Sequence, residues 1–177
     1  MKVICFGDSN TYGYDPRGYF GGRYEGGSRW VDILSAETGW TVCNMGQNGR
    51  KILSVVPAFP DDTDLLIVML GTNDLIQGRS PEQTAERLER FLAAVLLERS
   101  KILLIAPPPM ALGEWEPSQQ LIDASYTFAR LCQALAAWHP LCRCRKMGHL
   151  PGLWRRTLYG AWPQSLCRRT SGGTQMK

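Results

Sequence analysis

Lys2–Gly13, KVICFGDSNTYG, decides how the rest of the chain is read. Lys2 to Phe6 is a short apolar run of the kind a fully buried parallel strand needs, and the chain turns immediately afterwards at Gly7. Gly7 permits a tight backbone path. Asp8, Ser9 and Asn10 then set small polar side chains where a strand hands over to a helix, which places Ser9 at the carboxyl end of the sheet. A hydroxyl there can serve as a nucleophile. The plainer role for Asp8 or Ser9 is to cap the helix that follows.

Further strands and helices alternate outward from this stretch. Ser28 precedes Trp30, Val31, Ile33 and Leu34, one apolar stripe on a helix that Gly39 can end, and Trp40 to Asn44 reads as a second strand. Asp64 to Leu70, DLLIVML, is a third strand and Lys101 to Ala106 a fourth, stopped by Pro107, Pro108 and Pro109. Ser80-Pro81-Glu82-Gln83 carries a cap, a first-turn proline and a reciprocal Gln, so a helix is predicted there with an apolar face through Ala85, Leu88, Phe91, Leu92, Val95 and Leu96. Pro117-Ser118 opens a last helix with Leu121, Ile122, Phe128, Leu131, Leu135 and Trp138 facing the sheet. The pattern predicts an open α/β sheet covered on both faces.

Two more turns at the same sheet edge carry polar groups. Asn44-Met45-Gly46-Gln47-Asn48-Gly49-Arg50 suits a turn that exposes backbone N–H groups, and Gly71-Thr72-Asn73-Asp74 offers a side-chain amide. Alone, an Asn in such a turn is usually only a turn former. Together, Gly7-Asp8-Ser9-Asn10, Gly46 and Gly71-Thr72-Asn73-Asp74 resemble the first three blocks of the SGNH hydrolases, the GDSL esterase and lipase family, across roughly residues 1–138. The resemblance implies a flavodoxin-like three-layer sandwich with strand order 2-1-3-4-5. It also implies Ser9 as acyl-accepting nucleophile and an oxyanion hole from the Ser9 and Gly46 backbone N–H groups and the Asn73 side chain. Asp8, Asn10, Gly71 and Asp74 support those motifs. The implied substrate is a small acyl ester, and the chemistry needs no metal or cofactor.

The family's fourth block, Asp-x-x-His, has no counterpart. The only histidines are His139 and His149, preceded three residues earlier by Ala136 and Lys146, and no acid follows Asp123. His139, beside Pro140, suits a helix C-terminal cap, and nothing near His149 in sequence would fix its tautomer, so both are poor candidates for the base. A serine hydroxyl needs a base to take its proton, so impaired activity is expected. The alternative is a non-catalytic α/β binding or interaction protein that kept the turns and lost the base. Tyr12 to Gly27 is too long for a plain connection and is read as a loop over the site, with Tyr12, Tyr14, Arg29 and Trp30 facing substrate. For Arg29 an ion pair is the commoner fate.

Length and composition bound the rest. The 177 residues, 44% of them hydrophobic, suit one core. No apolar run is long enough to span a membrane and no signal segment opens the chain, so a cytoplasmic location is expected. Six cysteines lack CxxC spacing; Cys5 and Cys43 fall in strand-like runs and are expected as buried free thiols. Oligomeric state is not legible.

The net charge of +4 divides sharply. Residues up to Asp123 carry −5 and the remainder +9. From residue 139 the chain is an irregular basic tail with neither helical nor strand period. Its interleaved Arg and Trp sit in no nucleic-acid module, and Cys142, Cys144, His149 and Cys167 match no common zinc spacing. An out-of-frame ending explains it better. Met147-Gly148 requires ATG-GGN, read one base later as Trp, and Met176-Lys177 requires ATG-AAR, read one base later as a stop. The shifted frame admits a strand end and an amphipathic helix, yet no His across residues 155–159.

Overall fold

The computed structural model describes residues 1–17, 22–111 and 118–138. Four parallel strands form its centre: β1 (Lys2–Gly7), β2 (Thr41–Gly46), β3 (Leu65–Met69) and β4 (Ile102–Leu104), ordered β2-β1-β3-β4. This is the expected order as far as it can be followed; the position of a fifth strand falls outside the described residues. Five helices connect or cover the strands: α1 (Ser9–Tyr12), α2 (Trp30–Thr38), α3 (Thr72–Ile76), α4 (Pro81–Ala93) and α5 (Gln119–Trp138).

Alternation along the strands builds two cores, because successive side chains leave opposite faces. Ile4, Phe6, Leu66, Val68 and Leu104 pack under α4 and α5 through Leu88, Phe91, Phe128 and Cys132. On the other face, Val3, Cys5, Ile67, Met69 and Leu103 pack against Trp30, Val31 and Leu34 of α2. The architecture is a three-layer α/β sandwich.

Local chemistry sets the helix ends. Gly39 takes φ +67° and closes α2, while Ser80 and Gln83 form the reciprocal capping box that starts α4. Ser118 Oγ accepts the Leu121 N–H at 3.2 Å and opens α5.

Three expectations need correction. Strand β2 runs to Gly46 rather than Asn44, because Met45 and Gly46 still pair with Phe6 and Gly7. Cys43 is exposed, since β2 pairs only with β1 among the described strands and presents that residue outward. Leu96 is almost wholly exposed at 99%, because α4 ends at Ala93 and its apolar stripe stops with it. Val95, just past the end, is buried as expected.

Candidate active site

Parallel register brings the three polar turns level. Gly7, the last residue of β1, pairs with Gly46 on one side and Met69 on the other, so the chain leaves all three strands at the same height. Asp8 caps α1, its Oδ1 accepting the Asn10 backbone N–H at 2.9 Å and Asn10 Nδ2 at 3.1 Å. Ser9 is thereby the first residue of that short helix. Asn10 Nδ2 also reaches Thr72 Oγ1 at 3.5 Å, and Asn73 Nδ2 donates to the Arg50 carbonyl at 3.1 Å. Asn44 closes the set: its Nδ2 donates to Thr11 O at 2.9 Å and its Oδ1 accepts the Gly46 N–H at 2.8 Å. Hydrogen bonds therefore link every pair of the three blocks.

Glycines permit the approach. A Cβ on Gly46 would overlap the backbone of Thr11 and Tyr12, so α1 can lie against the end of β2 only because position 46 has no side chain. Gly71 has φ +122° and a Cβ there would overlap the Phe128 ring of α5.

Two ionisable side chains lie beneath these turns, Asp8 buried and Arg50 half-buried. Burial pushes the Asp8 carboxyl up to about 6, against the opposing pull of the Asn10 and Thr72 donors, and its Oδ2 has no hydrogen-bond partner among the described residues. Arg50 threads its guanidinium under the strand ends. Nη1 donates to Gly7 O at 3.1 Å and to Met45 O, Nη2 donates to Gln47 Oε1 at 2.9 Å, and the group lies 4.3 Å from the Phe6 ring centroid. Burial lowers its pKa while the Asp8 charge raises it. Sequence reasoning passed over Arg50; its only signal was a cation two residues inside an apolar-flanked turn. Asp74, also buried, accepts the Ile52 N–H at 2.9 Å and faces Arg79 and Arg87 at 3.4 and 3.8 Å. It fastens the segment after Arg50 rather than reaching the cavity.

A cavity of about 300 Å³ opens beside Ser9, walled by Tyr14, Tyr24, Arg29, Trp30 and Pro108. The Trp30 Nε1 donates to Asn10 O at 3.1 Å, fixing the indole against α1. Tyr14 bridges Arg23 in antiparallel fashion, which folds the aromatic loop back on itself. Of the four residues expected to face substrate, Tyr14, Arg29 and Trp30 do line this space. Tyr12 stands apart, its ring under the Arg23 guanidinium at 4.4 Å and its carbonyl accepting Arg23 Nε at 2.8 Å. Arg29 pairs with Asp32, the fate expected as commoner. Tyr24 belongs to the aromatic loop expected over the site and lines the cavity; Pro108 was not anticipated as a wall residue, because only the β4 exit brings it there.

His139 and His149 both lie outside the described residues. Among the described residues no group of three or more His, Cys, Asp or Glu could hold a metal ion, and no helix is long and apolar enough to cross a membrane.

The family model for the GDSL-like lipase/acylhydrolase family matches residues 5–160. The chain belongs to that family. Among solved structures this GDSL-family chain is similar to the native aryl esterase of M. smegmatis, at 26% identity and TM-score 0.61, covering 77% of this chain and 80% of that one. It is similar to a putative arylesterase from Agrobacterium tumefaciens str. C58, at 29% identity and TM-score 0.60, covering 77% and 79%. It is also similar to Est24, a carbohydrate acetylesterase from Sinorhizobium meliloti, at 25% identity and TM-score 0.59. That match covers 77% of this chain and 80% of the other. No curated protein matches the chain. Family membership makes it an esterase or acylhydrolase by kinship.

Proposed function

We propose that this GDSL-family chain is a serine hydrolase of small acyl esters whose nucleophile is Ser9. The reading rests on one observation above the others: the turns bearing Ser9, Gly46 and Asn73 leave the sheet level with one another and are joined by hydrogen bonds. Ser9 Oγ attacks the ester carbonyl carbon while its proton passes to a base. The carbonyl oxygen becomes an oxyanion, the alcohol leaves with a proton, and water then cleaves the acyl-serine. Asn73 donates one amide hydrogen to Arg50 O, and we assign its second, with the Ser9 backbone N–H, to the oxyanion. Gly46 is the weaker donor of the three, because its N–H already serves Asn44 Oδ1. The aryl esterase and acetylesterase neighbours support small acyl groups and an aromatic-walled cavity as the substrate side.

The base is the weak point of the chain. Without an Asp-x-x-His block, turnover falls by on the order of a million-fold relative to a complete triad, and oxyanion stabilisation alone persists. Hydrolysis of p-nitrophenyl acetate and labelling by a fluorophosphonate, each against Ser9→Ala, test this reading. Slow labelling that vanishes in Ser9→Ala supports it, and no difference between the two proteins sinks it. The engaged Gly46 N–H favours a second reading, a binding protein that no longer performs the chemistry. Ligand binding without any Ser9 labelling would select it.

Cytoplasmic residence is part of the proposal, in keeping with the buried free thiols Cys5 and Cys132. So is the out-of-frame origin of residues 139–177. Sequencing the codons for residues 138–177 tests it, and an error-free read with coherent homologous tails in the present frame would refute it.

A further inference from the structure

Among the described residues, the wall of the cavity beside Ser9 carries a single charged side chain, Arg29. Its stem is pressed against α1: a Cβ on Gly13 would lie 2.7 Å from Arg29 Cγ and Cδ, so the absence of a side chain at Gly13 is what lets the Arg29 stem cross there. The guanidinium then turns to meet Asp32, three residues on in the first turn of α2, with Nε against Oδ2. Both charged heads lie over Gly26, whose missing side chain leaves them room; a Cβ there would be 3.3 Å from Arg29 Nη2 and 3.9 Å from Asp32 Oδ2. A carboxylate in the first turn of a helix is further favoured by the helix dipole. The charged side chain of the wall is thus compensated by Asp32 behind it, while Tyr14, Tyr24 and Trp30 supply aromatic surface.

We propose that Asp32 sets the charge preference of this cavity, reserving it for uncharged aromatic groups by neutralising Arg29. A guanidinium without a partner beside a cavity is a ready site for a carboxylate, because planar bidentate bonds form with little further ordering. With Asp32 in place, an anionic ligand must displace one carboxylate to gain another. The exchange gains almost nothing. An uncharged aryl group makes no such demand and keeps the stacking surface of the three aromatic rings. Identifying the occupant as part of an ester substrate rests on the hydrolase reading; the charge filter itself does not.

The test is equilibrium binding of two probes, acetophenone and benzoate, to the full chain by isothermal calorimetry or ligand-observed NMR. Wild type is expected to prefer acetophenone. Asp32→Asn frees the guanidinium, so benzoate should tighten by about tenfold, the scale of one charge-assisted bond, while acetophenone stays within about twofold. Arg29→Gln leaves Asp32 uncompensated and should weaken benzoate further, and the double variant should lose the gain. Arg29→Gln also serves where Asp32→Asn folds poorly, with thermal unfolding as the control for both. An unchanged benzoate-to-acetophenone ratio across these variants, or no binding of either probe, overturns the proposal. Neither probe is hydrolysed. A ratio that switches in a chain whose Ser9 never labels therefore keeps the charge filter and removes only the hydrolase reading.

Discussion

Asp8 places a carboxyl group where no solvent reaches it, and only one of its two oxygens is bonded. Sequence alone offered a helix cap there, and a cap it is; the burial could not be read, since it arises from β3 and the Thr72 turn closing over the group. Its folded pKa of about 6 stands above the ordinary 3.8. Between those two values the native chain holds a proton that the unfolded chain has released. The contribution of Asp8 to stability is therefore fullest below about pH 4 and falls as pH rises, a loss of roughly 3 kcal/mol complete above about pH 6. Asp8→Asn keeps the oxygen that Asn10 needs and removes the titration. Urea denaturation across this window should show wild type losing stability relative to Asp8→Asn as pH rises, so that the variant is the more stable protein near neutrality. Parallel curves would mean that the ionised carboxylate is compensated, with the Arg50 charge the first candidate.

Among the elements, α1 is the one whose position the proposed chemistry needs, and it is too short to hold itself. A four-residue helix has almost no internal stability, so its neighbours fix it: Asp8 at its start, Asn44 bonded to Thr11 O, Trp30 bonded to Asn10 O, and Gly46 against its backbone. Gly46→Ala tests that dependence. The atoms a new methyl would meet belong to the α1 backbone, which cannot swing aside as a side chain tip can. Overpacking of this kind costs about 1–3 kcal/mol, and relief requires α1 to shift away from β2 and carry Ser9 with it. A lower denaturation midpoint together with slower fluorophosphonate labelling is expected. A lower midpoint with labelling unchanged would show that α1 follows the end of β1 and not the end of β2. Helix α4 makes the contrasting case, because its start is written locally in Ser80 and Gln83. Ser80→Ala should lose about 1 kcal/mol in the same denaturation measurement and leave Ser9 labelling as it was.

At the level of the whole molecule, what was legible followed from patterns short enough to be local. Apolar runs gave β1, β3 and β4, caps gave the starts of α4 and α5, and three turn motifs gave the edge on which Ser9, Gly46 and Asn73 stand. What was not legible depended on partners distant in the chain: the outward face of Cys43, the cation of Arg50 beneath two strand ends, and the place of Pro108 in the cavity wall. The same division explains the base. In this family plan the imidazole comes from the far end of the chain, and here that end offers no Asp-x-x-His. If the nucleophile and donors are otherwise complete, a base supplied from solution should restore part of the chemistry. Imidazole, added to the full chain, is expected to speed fluorophosphonate labelling of Ser9, to do so only in its neutral form, and to leave Ser9→Ala unlabelled. The effect should therefore grow as pH rises through the range where imidazole loses its proton, near 7. A wild-type chain that labels rapidly and gains nothing from imidazole would carry its own base, and the expectation of impaired activity would fall.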